Sequence, residues 1–172
     1  MLLPPVILVN EQDEPVGIME KLEAHQKGLL HRAFSVFVTN AKGELLLQQR
    51  ALDKYHSGGL WTNTCCSHPL PDEDVLTASH RRLMEEMGFD CELKEVFSFT
   101  YRAEFTNGLT EYEYDHVLIG QFDGEVRPDP AEVMSCKFAS PDEIRYLMLT
   151  APETFTHWFH IAFPKMAAFI ER

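Results

Sequence analysis

Asp72-Glu-Asp-Val-Leu-Thr-Ala-Ser-His-Arg-Arg-Leu-Met-Glu-Glu-Met-Gly88 is the stretch on which the fold turns. Its apolar residues Val75, Ala78, Leu83 and Met87 return at helical spacing behind an acidic opening turn, and Gly88 follows as a stop. The pattern predicts a helix from Asp72 to Met87. Read without any relative in mind, Glu85 and Glu86 would be an ordinary solvated helix end.

Outward from this helix, the chain alternates strand-like runs with a few further helical ones. The runs are Val6 to Val9, Phe34 to Thr39, Leu45 to Gln49, Leu60 to Thr64, Val96 to Ala103, Val117 to Phe122 and Ser135 to Ala139. Asn40-Ala-Lys-Gly43 is a hairpin turn signal between the second and third. Helices are predicted at Pro141 to Thr150, with Ser140 as cap, and at His157 to Ile170. Many strands with few helices suggest a mixed sheet covered by helices on its faces.

At 172 residues and 45% hydrophobic, the chain can build one sizeable core, so one domain over 1–172 is expected. The apolar opening, Met1 to Val9, meets Asn10, Glu11 and Asp13 too soon to span a bilayer and has no basic segment before it. No membrane association is expected. Of four cysteines, the only close pair, Cys65 and Cys66, is adjacent, a spacing poorly suited to a disulfide, which points to a reducing, cytoplasmic setting. A net charge of −12 argues against nucleic-acid binding, which draws on clustered Lys and Arg. Any phosphate-bearing ligand would need local cations or a metal to offset that field.

Several residue types could carry chemistry. Glu111 and Glu113, two apart in a strand, share a face. With His25, His31 and His68 they offer imidazole and carboxylate donors suited to Mn²⁺, Zn²⁺, Fe²⁺ or, less well, Mg²⁺. Spacing alone leaves open that these are polar residues scattered over an acidic surface. In Trp61-Thr-Asn-Thr-Cys-Cys-Ser-His-Pro69, alternation puts Cys66 on the face of His68 and Cys65 on the other. Near a cation and an imidazole, Cys66 could have a lowered pKa and act as acid, base or nucleophile. Cys65 reads as a small buried hydrophobe.

The helix end Arg81-Arg-Leu-Met-Glu-Glu-Met-Gly88, preceded by Glu73, resembles the Nudix box, in which an acidic helix holds Mg²⁺ against a diphosphate. Ser67 stands where the box opens with glycine, and Arg82 where a glutamate follows the arginine. Those departures imply that a diphosphate is bound and not cut. Glu20-Lys-Leu-Glu-Ala-His25, His31-Arg-Ala-Phe34, Gln49-Arg-Ala-Leu52 with Lys54, Gly59-Leu-Trp-Thr-Asn-Thr-Cys-Cys-Ser-His-Pro69 and Glu111-Tyr-Glu113 together resemble one family, type 1 isopentenyl-diphosphate Δ-isomerase. The likeness runs in order over nearly the whole chain.

That resemblance implies an α/β (mixed α+β) fold, a Nudix-like mixed sheet sandwiched between helices. It implies isomerisation of isopentenyl to dimethylallyl diphosphate by moving a proton, by a monomer or weak dimer that uses no flavin. His25, His31, His68, Glu111 and Glu113 would ligate one Mn²⁺, Mg²⁺ or Zn²⁺, and Glu86 would help hold a Mg²⁺ on the substrate diphosphate. Lys21, Arg50, Lys54 and Arg82 would contact phosphate oxygens. Cys66 and Glu113 would transfer protons, Tyr101 would assist Glu113, and Trp158 would line the hydrocarbon pocket. Protonating an alkene makes a tertiary carbocation, so the pocket must be dry, and an indole face can stabilise the cation by about 2 kcal/mol. The expected roles are Glu113 as acid and Cys66, as thiolate, as base.

Overall fold

The computed structural model describes residues 2–172. Among them, nine strands form one sheet: β1 (Pro5–Val9), β2 (Pro15–Glu20), β3 (His31–Thr39), β4 (Leu45–Arg50), β5 (Trp61–Thr62), β6 (Cys65–Ser67), β7 (Leu93–Glu104), β8 (Thr110–Gln121) and β9 (Val133–Ala139). The helices are α1 (Lys21–Lys27), α2 (Val75–Met87), α3 (Pro141–Thr150) and α4 (His157–Ile170), with a 3-10 turn at Pro152–Thr154.

β3 is the axis. It runs parallel to β8 over its whole length, from His31 opposite Glu113 to Thr39 opposite Gln121. The predicted Asn40–Gly43 turn joins it to β4, with the Gly43 N–H bonded to the Asn40 carbonyl. β3 and β4 pair only beside that turn, at Thr39 and Leu45, and then diverge. The widening gap is filled by β5 against β4 and β6 against β3. Of the run predicted as a strand, Leu60 to Thr64, only Trp61–Thr62 is β5; the chain changes partner at Asn63 and Thr64, and β6 follows beyond the predicted run. Side chains supply the hydrogen bonds that the ladder loses there: Asn63 Nδ2 donates to the Val36 and Cys65 carbonyls, and Thr64 Oγ1 donates to the Leu46 carbonyl and accepts from Val38 N.

Each face of the sheet has its own core. Val36, Val38, Leu46 and Cys65 pack under α2 against Leu83 and Met87, while Phe37, Leu47 and Val117 pack under α3 and α4 against Ile144, Phe159 and Phe163. α2 begins at Val75, three residues later than predicted, because Asp74 is its cap and accepts from Thr77 N. The acids Asp72 to Asp74 thus precede its first turn. It ends at Gly88, whose left-handed φ of 73° and proximity to the Arg127 carbonyl leave no room for a Cβ. α3 matches its predicted span, with Ser140 and Glu143 forming a reciprocal cap.

Candidate active site

β8 inverts the usual pattern of a half-buried strand. Tyr112 and Tyr114 are only partly covered, while Glu111, Glu113 and Asp115 are buried. Register carries Glu113 between Tyr101 of β7 and His31 of β3, so three neighbouring strands set these side chains in a row. The buried Tyr101 hydroxyl bridges both acids, donating to Glu111 Oε1 and, at 2.6 Å, to Glu113 Oε2.

Imidazoles surround the pair. His25 comes from α1, a seven-residue helix started by the Glu20 carboxylate capping Glu23 N. The Nδ1 atoms of His25 and His31 sit 2.7 and 2.9 Å from the carbonyls of Lys21 and Leu29, which assigns their hydrogens to Nδ1 and leaves Nε2 as a lone pair turned inward. Neither Nε2 has a hydrogen-bond partner. His31 Nε2 lies 3.3 Å and His68 Nε2 2.8 Å from Glu113 Oε1, and His25 Nε2 lies 3.8 Å from Glu111 Oε2. Ligand atoms of His25, His31, His68 and Glu113 all fall within 4.8 Å of one another, and an overlapping group unites His25, His56 and Glu111. Buried imidazole nitrogens without partners cost roughly 1–3 kcal/mol each, a cost that a divalent cation at their focus removes. The donor set fits such an ion. Burial works against the charge on Glu113, yet His68 and His31 hold its carboxyl well below the usual range.

Cys66 lines the same small cavity as Glu113. Its partner across the sheet is Ser35, whereas Cys65 faces the α2 core, as alternation predicts. The thiol donates to Asn63 Oδ1 at 2.9 Å, and the Trp158 indole N–H points at both Sγ (3.1 Å) and Asn63 Oδ1 (3.2 Å). The lowered thiol pKa expected from the sequence is not found: burial, then the Asp115 carboxylate, push it up to about 12. His68 shares its face without reaching it; the polar neighbours of the sulfur are Asn63, Trp158, Thr62 and Ser35.

The expected phosphate contacts gather where this cavity opens outward. Lys21, Arg50, Lys54 and Arg82 all line it, with Glu86. Lys21, Lys54 and Arg82 also line an adjoining outer cavity of ≈ 420 Å³, against ≈ 50 Å³ inside. Burial first, and then the charges of Arg50 and Lys54, lower the Lys21 pKa to about 8, so repulsion among these cations adds to the cost of burying one. An anion among them relieves that repulsion. Meanwhile Lys54 is paired with Glu132, and Arg82 spans Glu85 and Glu86 and lies 3.6 Å from Glu132. Glu86 accepts from Arg82 at 2.6 Å and Gln48 at 2.9 Å. Trp158 is buried, with the Arg50 guanidinium carbon 5.3 Å from its ring centre.

All the residues expected at the site thus converge. Among the residues touching them that sequence reasoning missed are His56, Asn63, Ser35 and Asp115. Asn63 and Asp115 carried a signal, the first lying inside the Trp61–Pro69 motif and the second continuing the Glu111, Glu113 alternation. His56, single in a loop, carried none.

Comparison with known proteins places the chain. The NUDIX domain model matches residues 29–159. An isopentenyl-diphosphate Delta-isomerase of Pectobacterium atrosepticum is 53% identical over 166 residues, covering 96% of this chain and 93% of the relative. One of Burkholderia multivorans is 55% identical over 155 residues, covering 90% and 88%. Among solved structures, a MutT protein from Methanosarcina mazei superposes with a TM-score of 0.68 at 19% identity, covering 83% of this chain and 96% of that one. At that identity the likeness speaks for the fold alone.

Proposed function

The chain belongs to the isopentenyl-diphosphate Delta-isomerase family on the NUDIX fold, which interconverts isopentenyl and dimethylallyl diphosphate, and from that premise we propose how its residues divide the reaction. The observation that carries the division is the pairing of a Cys66 thiol and a Glu113 carboxylate on one small cavity, which Trp158 and the cations Lys21, Arg50, Lys54 and Arg82 also line.

The diphosphate lies among Lys21, Arg50, Lys54 and Arg82, with Ser67 beside Arg82 at 3.2 Å, and displaces Glu132 from two of them. Glu86, which lines the same cavity, would help hold a Mg²⁺ brought with the diphosphate. The five-carbon tail reaches the inner cavity, where few waters fit. Asn63 is locked by its two backbone acceptors so that its carbonyl oxygen faces Cys66, which calls for a hydrogen on the sulfur at rest. Glu113, by contrast, accepts from the Tyr101 hydroxyl, and its carboxyl is held well below the usual range. Cys66 therefore gives its proton to the terminal methylene, forming a methyl group and a tertiary cation under the Trp158 face, and Glu113 takes a proton from the adjacent CH₂ to restore the alkene. This exchanges the roles expected from the sequence. Solvent then returns a proton to sulfur and removes one from Glu113.

His25, His31, His68, Glu111 and Glu113 are the residues that would hold the resident divalent ion, Mn²⁺, Mg²⁺ or Zn²⁺. When bound, it supplies positive charge that keeps Glu113 ionised and fixed. Tyr101 holds the second oxygen of that carboxylate in place. Arg82, pairing with Glu85 and Glu86, takes up acids that a hydrolytic metal cluster would need. Four free cysteines favour a reducing setting such as the cytoplasm, and among the described residues no helix is long and apolar enough to cross a membrane. Incubation with isopentenyl diphosphate and Mg²⁺ should yield dimethylallyl diphosphate without phosphate release; release of phosphate would refute the division of roles.

A further inference from the structure

Between Lys54 and Gly58 the chain turns a histidine inward. His56 is buried, its ring stacked on Phe105 with centroids 4.6 Å apart and planes 9° from parallel, and edge-on to Trp158 at 6.1 Å. The loop is tight enough that a Cβ at Gly58 would collide with the Leu52 carbonyl, and Asn107 ties it down through the Tyr55 carbonyl at 3.0 Å.

Its Nδ1 sits 3.1 Å from Ser57 Oγ. Its Nε2 stands 2.6 Å from Glu111 Oε2, yet it is left without an aligned hydrogen bond. A residue serving only to clamp the carboxylate would aim its N–H along the line to the oxygen. Here the two atoms instead lie side by side, with His25 Nε2 close to both. Neighbouring ligands at ~2.1 Å from an ion at right angles are about 3 Å apart, so this crowding suits donors that share a cation. A Ser57 hydroxyl accepting from Nδ1–H leaves the Nε2 lone pair free for it.

We propose that His56 is a fourth imidazole ligand of the divalent-metal centre, entering through Nε2 beside Glu111 Oε2. The inference rests on the five-ligand reading above and extends it. The two donor groups meet at His25, and drawn onto one ion the six donors His25, His31, His56, His68, Glu111 and Glu113 would leave it little room for water. A centre closed in this way fixes Glu113 without generating a hydroxide, which suits a NUDIX fold that keeps a diphosphate intact.

The test counts ligands and does not read turnover. Protein loaded with Mn²⁺ is studied by pulsed EPR for coupled imidazole nitrogens and by chelator competition for affinity, alongside His56→Phe, which keeps the ring stack, and His56→Asn. Four imidazoles in the parent, three in either folded variant and an affinity lower by about tenfold or more are expected. Three in the parent would overturn the proposal whether or not a variant folds. So would an unchanged count in a variant, even with weaker binding, since His56 would then be a clamp on Glu111. Four imidazoles in a protein that fails to isomerise would instead sink the catalytic reading and leave this one standing.

Discussion

The Trp158 indole N–H lies 3.1 Å from Cys66 Sγ, so a residue at the start of α4 orients a thiol 92 positions earlier in the chain. The same N–H reaches Asn63 Oδ1, which accepts the thiol hydrogen. In the proposed mechanism one tryptophan therefore aims the proton donor and offers its ring to the cation that protonation creates.

Replacing that ring separates two contributions. Trp158→Phe keeps an aromatic face of weaker quadrupole and loses the N–H. Stabilisation of about 2 kcal/mol by the indole corresponds to roughly a 30-fold loss in kcat, with KM changed much less because the diphosphate cations are untouched. Steady-state kinetics checks this, and a rise in KM at constant kcat would show that Trp158 serves binding alone.

The adjacent cysteines should part company. Cys66→Ala removes a proton donor and should lower kcat by roughly 10²–10⁴-fold with the fold intact by circular dichroism. Cys65→Ala, on the opposite face and packed with Val36 and Leu83, should cost about 1 kcal/mol of stability and leave most activity. Equal losses from both would defeat the assignment.

This contrast was legible in the sequence because a strand alternates with a period of two, and the same rule exposed Glu111 with Glu113. The rule fails where periodicity has nothing to act on. α1 spans only seven residues, too few for a helical pattern, and was not predicted. β2 is an edge strand with Val16 and Ile18 exposed on one face and no buried partner set on the other. β8 begins at Thr110, seven residues before its predicted start at Val117, because its acids are buried by imidazoles and a tyrosine that lie far away in sequence. Long-range compensation also explains Cys66: the pKa expected from a nearby cation and imidazole was set aside by burial and by Asp115, bonded through Ser35 at 2.7 Å.

The metal ligands should fail together. His25→Ala, His68→Ala and Glu111→Gln each remove one donor from a shared ion, so metal content and activity should fall in step, with affinity reduced by roughly 10–100-fold. Adding Mn²⁺ to metal-free parent should raise the melting temperature in proportion to ln[Mn²⁺] above Kd, a shift much reduced in the three variants. Full metal stoichiometry in all three would remove the five-ligand centre.

Glu86 belongs to the diphosphate end. Glu86→Gln should raise KM about tenfold and change its Mg²⁺ dependence, while the resident metal stays bound, because Glu86 contacts Arg82 and Gln48 and none of the histidines. Loss of the tightly held metal in this variant would mean that the two ion sites are one.

Turnover in D₂O tests the direction of proton flow. Both groups in the proposed pair exchange with solvent between turnovers, the thiol through the opening of the inner cavity and the carboxyl after it has taken the C2 proton. Isopentenyl diphosphate converted in D₂O must then carry deuterium in a methyl group of dimethylallyl diphosphate, with phosphate and pyrophosphate at background. Cys66→Ala distinguishes the donor. If Cys66 delivers the proton, the variant cannot label isopentenyl diphosphate at its terminal carbon. If Glu113 were the donor, the variant would instead still deuterate the terminal carbon at a residual rate. Mass spectrometry of recovered substrate and product reads both outcomes. Unlabelled dimethylallyl diphosphate from the parent enzyme would exclude both assignments, because the proton would then have moved within the substrate without passing through either residue.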